Sequence, residues 1–223
     1  MVSIRQPPNI MPKKKQLAMM RWAPLLVSGL MCIGMTNASE GVMGMTNALE
    51  GVEVPESRIV NGTILPLNGA GIRSFSFFGM SLKVYVATFY TRSPLRNWEA
   101  VQACKGPKHF DFTFLRGVGQ GQVTQAWQRQ LDASVSHTYD GYENDRDAFV
   151  RMFGPIKSGG MTTIQLLEED TVVVDQGTHK GVIQGRNFQR AFLSMWFGER
   201  AVQADLKAGL LGSGAPEMAM AVV

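Results

Sequence analysis

The sequence of 223 residues is short of the groups that most often announce a chemistry. It has two cysteines, Cys32 and Cys104, and three histidines, His109, His137 and His179, scattered without a partner pattern. There is no Cys-x-x-Cys pair, no His-Glu-x-x-His and no Gly-x-Ser-x-Gly, so zinc and acyl-serine chemistry lack support. The glycine-rich stretch Gly117-Val118-Gly119-Gln120-Gly121 has the wrong spacing for a dinucleotide loop, and no lysine follows it as in a P-loop. It reads as a connection from a strand to a helix. The acidic run DGYENDRD (140–147) lacks the alternating ligands and closing glutamate of a calcium loop, and reads as a helix entrance. No metal and no cofactor is expected.

An excess of positive charge is also missing from most of the chain. The formal charge is +4, but residues 1–39 hold Arg5, Lys13, Lys14, Lys15 and Arg21 and no acid. The remainder carries 17 basic against 18 acidic side chains, which is no footprint for a phosphate backbone. Nucleic acid is not an expected partner. Apolar residues make up 45% of the chain and charged residues 18%, the composition of a folded globular protein.

The basic start has the build of a leader. From Met11, a natural start for this segment, a lysine-rich head precedes an apolar run from Trp22 to Met35 and small residues at Thr36 and Ala38. The apolar run is too short and interrupted to span a bilayer comfortably. Residues 1–38 are therefore expected to be a cleaved signal peptide, with export to a periplasm or to the outside and no integral span after cleavage. A bacterial-type route is favoured by the short leader. Asn61-Gly62-Thr63 would accept a glycan only in a eukaryotic secretory route. Cys104, the one cysteine left, cannot form an internal disulfide and is expected to be a buried, inert thiol.

What is present is mostly strand pattern. GMTNASEGV (34–42) recurs as GMTNALEGV (44–52), so residues 39–57 read as a duplicated linker with two candidate mature ends, near Ser39 and Leu49. The folded domain is expected at 58–212, with a flexible tail at 213–223. SRIVNGTILPLNG carries an Asn-Gly turn, and GIRSFSF and LKVYVATFYT flank a hairpin connection at Phe78–Ser81. KHFDFTFLR alternates as a half-buried strand, with His109, Asp111 and Thr113 opposite Phe110, Phe112 and Phe114. VTQAWQRQLDASV places Val123, Ala126, Trp127, Leu131 and Val135 at helical spacing, and DRDAFVRMFG is a second short helix. Three strands follow in MTTIQLLEEDTVVVDQGTHKGVIQG, then helices in NFQRAFLSMWFG and VQADLKAGLLG. Strands in blocks and helices after them predict an α+β fold, a mostly antiparallel sheet covered on one face.

Arg73 is the anomaly in this pattern. On a regular strand it shares a face with Phe75 and Phe77, and a guanidinium does not shed its proton. Its head must reach solvent, pair with an internal acid, or line a cavity that admits an anion.

NGAGIRSFSFFGMSLKVYVATFYT together with GRNFQRAFLSMWFGERAVQADLKAGLLG resembles the chalcone isomerase-like family over residues 58–212. The Gly-x-Arg strand, Tyr90 and the final Trp-Phe-Gly…Leu-Lys…Leu-Leu-Gly carry the resemblance. It implies an open-faced β-sandwich, a large antiparallel sheet backed by helices with a ligand cleft between them. Plant chalcone isomerases cyclise a chalcone to a flavanone, with an arginine on the phenolate, a threonine and a tyrosine acting on the ketone, and an asparagine and a further Ser/Thr at the other end. Fatty-acid-binding relatives keep the arginine, add a tyrosine and clamp a carboxylate.

Arg73 falls on the family arginine, and Tyr85 where the isomerases have their ketone-side threonine. Gly119, Gln122 and Ala126 fall where they have tyrosine, lysine and asparagine, and Met195 on the late Ser/Thr position. Most isomerase contacts are thus replaced by groups unable to do their work. The resemblance therefore implies a non-catalytic binding module for a fatty acid or similar apolar carboxylate. Arg73 and Tyr85 would hold the head, and Phe75, Phe77, Phe112, Trp127, Phe192 and Met195 would lie along the chain. Alternation does not say which face Tyr85 uses, since both parities around it are partly apolar. Two alternatives stand beside this reading: an intramolecular lyase that uses Arg73 on an oxyanion, and an interaction protein with a closed core.

Overall fold

The computed structural model describes residues 47–213, apart from 78, 136–138 and 169–170 and the side chains of Asn47 and Phe77. The expected leader, most of the tandem repeat, His137 and the tail from residue 214 lie outside the described residues. The strands β1 (Asn47–Leu49) and β2 (Val52–Val54) pair as a small hairpin inside the segment expected to be linker. Val54 is buried there, so ordered structure begins ahead of Arg58. A repeat of small and polar residues hides this, because three-residue strands leave almost no alternation to read.

Seven further strands form one antiparallel meander in chain order. They are β3 (Ser57–Val60), β4 (Thr63–Phe77), β5 (Met80–Thr91), β6 (Lys108–Phe114), β7 (Met161–Leu166), β8 (Thr171–Gln176) and β9 (His179–Gln184). The Asn61-Gly62 turn joins β3 to β4 with both residues at positive φ, as a tight hairpin requires. The stretch from Thr63 to Phe77 is one continuous strand of 15 residues rather than two. The sheet is open, not closed into a barrel.

Helices α1 (Trp98–Ala103), α2 (Gln120–Ser134), α3 (Tyr142–Val150), α4 (Arg186–Phe197) and α5 (Ala204–Leu210) pack on one face of this sheet. The expected stripes do the packing: Val123, Trp127 and Leu131 of α2 and Phe188, Ala191, Phe192 and Met195 of α4 are all buried. They meet Phe89, Phe110 and Phe112 of the sheet, with Phe89 stacked on Phe110 at 4.5 Å and Phe192 edge-on to Phe110 at 5.6 Å. Each such ring pair adds about 0.5–1.5 kcal/mol to the area it buries. The short α1 gives no sequence stripe, burying only Val101, and Asn97 caps its start through Ala100 N. Cys104 follows α1 as a free, half-buried thiol rather than a buried one, because the chain is turning there from helix to strand.

The opposite face departs from expectation. β6 is buried on both sides instead of one: His109 and Asp111 are buried along with Phe110 and Phe112, which alternate with them. The cause is the β3 end of the sheet, which lays Arg58 over this face. Its Nε donates to Asp111 Oδ2 at 2.7 Å, although β4 and β5 intervene in strand order.

α5 lies directly on the backbone of β4. A side chain at Gly209 would put its Cβ 2.5 Å from Ala70 O, and one at Gly69 would run into Gly209 O. Glycines on both partners permit this approach, and it fixes where the N-terminal end of α5 falls.

Candidate ligand-binding cleft

That end of α5 meets Arg73. Gln203, at the N-cap of α5, accepts from Arg73 Nη1 at 3.1 Å and from Ser74 N at 3.0 Å through one side-chain oxygen. Its amide nitrogen donates to Ile72 O at 3.4 Å, so it binds three consecutive residues of β4. Arg73 Nη1 also donates to Ser74 O. All of these acceptors are neutral. Among the described residues no carboxylate forms an ion pair with Arg73.

The half-buried guanidinium lines a cleft of about 430 Å³ between the β4–β5 hairpin, α2 and the end of α4. Phe75, Leu82, Val84, Tyr85 and Phe114 line it from the sheet, and Val123, Ala126, Trp127, Trp196 and Val202 from the helical side. Arg116, Gln122 and Gln130 supply the other polar side chains, and among the described residues no acid lines it. The volume is within the usual range for small-molecule sites, roughly 300–1,000 Å³. A cleft of this size beside Arg73 overturns the closed-core alternative.

A β-bulge aims Tyr85. Arg73 pairs with Tyr85 and Ser74 with Lys83, which leaves Val84 as an extra residue on β5. Both Val84 and Tyr85 consequently line the cleft, which strict alternation would forbid. Burial pushes the Tyr85 phenol well above its ordinary value, and the Arg73 charge draws it part of the way back. The phenol is a neutral O–H donor at physiological pH, beside a permanent cation.

Of the eight residues singled out from the sequence, Arg73, Tyr85, Phe75 and Trp127 come together around the cleft. Phe112, Phe192 and Met195 do not line it. They are fully buried between sheet and helices, and Phe112 backs the wall by edge contacts to Tyr85 and Trp127 at 5.5 and 5.8 Å. Their apolar periodicity marks core, and nothing in it separates core from cleft. The Phe77 side chain lies outside the described residues. Gln203 and Arg116 went unmarked from the sequence. The close-packing glycines Gly69, Gly71 and Gly209 are the signal that could have placed Gln203 beside Arg73, since they bring the two segments together.

Among the described residues no three His, Cys, Asp or Glu side chains cluster to hold a metal ion, and no helix is long and apolar enough to cross a membrane.

An open antiparallel sheet with helices on one face and a cleft between the layers defines an open-faced α+β fold. The chain belongs to the chalcone isomerase-like family, whose profile matches residues 46–212. Its fold is similar to the crystal structure of the Arabidopsis thaliana fatty-acid binding protein AtFAP1, with a TM-score of 0.56 at 16% identity. That similarity covers 74% of this chain and 93% of the plant protein. No curated protein matches the sequence.

Proposed function

We propose that the protein is an exported, non-catalytic binding module that holds a fatty acid or similar apolar carboxylate. The observation that carries this reading is Arg73: a permanent cation at the wall of a largely apolar cleft, answered only by neutral oxygens. A carboxylate would supply the missing charge, through charge-assisted bonds about twice as strong as neutral ones. The Tyr85 hydroxyl adds a donor that stays protonated, and the alkyl chain lies against Phe75, Leu82, Val84, Trp127 and Trp196. Each methylene so buried contributes about 0.8 kcal/mol. A plant fatty-acid binding protein with a similar fold agrees with the reading.

The isomerase positions that survive as lining, Gln122 and Ala126, offer neither a phenol nor an ammonium to a ketone, and Met195 is shut in the core. The test is native mass spectrometry of protein purified without detergent, followed by extraction and identification of small acids. A copurifying apolar carboxylic acid, absent from Arg73→Leu, is expected. Recovery of polar metabolites only, or identical carryover in Arg73→Leu, overturns the reading.

A further inference from the structure

We propose that the ligand of this cleft carries two acidic groups, one held at Arg73 and the other at Arg116. This rests on the carboxylate reading above and narrows it to a class, amphiphiles that are anionic at two separated points.

The first observation is an imbalance. Two guanidinium groups line the cleft and no carboxylate does. The neighbouring Lys83 is already matched, its Nζ lying 2.7 Å from Glu50 Oε1. Arg116 has no such acid among the described residues. Arg116 is exposed at the mouth of the cleft; its Nε donates to Lys83 O at 2.8 Å, which fixes the root of the guanidinium and leaves both terminal nitrogens open to solvent or to a ligand.

The second observation is separation. Ser74 and Lys83 are directly opposite across β4 and β5. Ser74 turns both its backbone groups away from β5, its N–H donating to Gln203 and its carbonyl accepting from Arg73. The head of Arg73 therefore lies off the outer edge of β4. Lys83 turns its carbonyl the other way, toward the extension of β6, where Arg116 takes it. Leu115 N bonds Val84 O at 2.9 Å in the same extension, so the ladder position of Arg116 is secure. The two heads sit on opposite sides of a strand pair, about 10 Å apart at strand spacings of about 4.8 Å. One carboxylate cannot hydrogen-bond both, because each contact requires about 2.8 Å. A single fatty-acid head satisfies Arg73 and leaves Arg116 unanswered, whereas a molecule with a second acid further along satisfies both.

The experiment compares linear α,ω-dicarboxylic acids with monocarboxylic acids of equal carbon number, by calorimetry on the delipidated full protein. Diacids long enough to span the gap are expected to bind roughly fivefold to tenfold tighter than their monoacid partners at low salt. The advantage should shrink as ionic strength rises, as it does for exposed charges. Diacids too short to span should show no advantage. Arg116→Gln should abolish the preference, bringing spanning diacids down to the affinity of their monoacid partners, while Arg73→Leu should abolish binding of both series. Equal affinity for spanning diacids and monoacids, or a preference that survives in Arg116→Gln, overturns this inference and leaves the carboxylate reading standing. If neither series binds, both fall together.

Discussion

The sheet carries two arginines beside tyrosines, one on each face, and their surroundings are opposite. Arg58 lies 5.7 Å from the ring centre of Tyr90 and donates to Asp111. The same carboxylate takes His109 Nε2 at 2.8 Å and Thr163 Oγ1 at 2.7 Å. Arg73 is across the ladder from Tyr85 and has only amide and backbone oxygens. The chain thus neutralises a cation with its own acid where the surface is closed, and withholds the acid where the surface is hollow. Composition does not force this difference, since the two arginines lie on neighbouring strands, β3 and β4, of one sheet. On the proposed function, the difference separates a structural face from a binding one.

The comparison can be broken hardest at Asp111. Asp111→Asn leaves Arg58 facing a neutral group in a buried setting, and removing one partner of such a pair costs about 3–5 kcal/mol. Urea denaturation should show a loss near the lower figure, because Arg58 is about one-third exposed (32%). A loss below 1 kcal/mol would mean the network is ornamental and the two faces are not distinct. Gly209→Ala comes next. Its Cβ must displace the β4 backbone, a strain of about 1–3 kcal/mol, and it should lift Gln203 from Arg73 and weaken ligand binding as well as stability. Unchanged binding in a folded Gly209→Ala protein would show that α5 does not position the site.

The acid limb of the pH profile sharpens the same contrast. Burial would raise the Asp111 carboxyl, but His109, Thr163 and Arg58 outweigh it and hold it at about 2, against an ordinary 3.8. A depressed carboxyl stabilises the fold above its unfolded value and loses that contribution as pH falls toward the folded value. About 2 kcal/mol should therefore disappear between roughly pH 4 and pH 2, and Asp111→Asn should lack that step. On the hollow face the effects on stability are small. Tyr85→Phe should weaken ligand binding by about 1 kcal/mol, the net value of one hydrogen bond, with stability nearly unchanged. Arg73→Leu should move the denaturation midpoint least of all while abolishing binding, since no partner charge is stranded by it.

The sequence showed much of this frame. Alternation in KHFDFTF, the stripes of α2 and α4, and the Asn-Gly turn were enough for an antiparallel sheet covered by helices on one face. Arg73 stood out because its charge contradicted its neighbours. What stayed hidden follows from how little local signal it leaves. The bulge at Val84 inserts one residue without changing composition, yet it decides where Tyr85 faces. Gln203 is an ordinary glutamine until α5 is laid on β4. The burial of Asp111 depends on a strand that curls over from three positions away, so alternation alone made it an exposed acid. Phe112, Phe192 and Met195 share the periodicity of cleft-lining residues, and only packing separates the two.

The meander has a consequence for how binding competence arises. Each strand pairs with the one made just before it, so the sheet can be zipped in the order of synthesis. The wall next to Arg73 breaks that order. Gln203 is 130 residues further along and reaches the second strand of the meander only when the last helix docks. A nascent or clipped chain lacking α5 would own a sheet and an arginine without its glutamine clamp. On the binding reading proposed above, a fully organised headgroup site is reserved for the completed polypeptide.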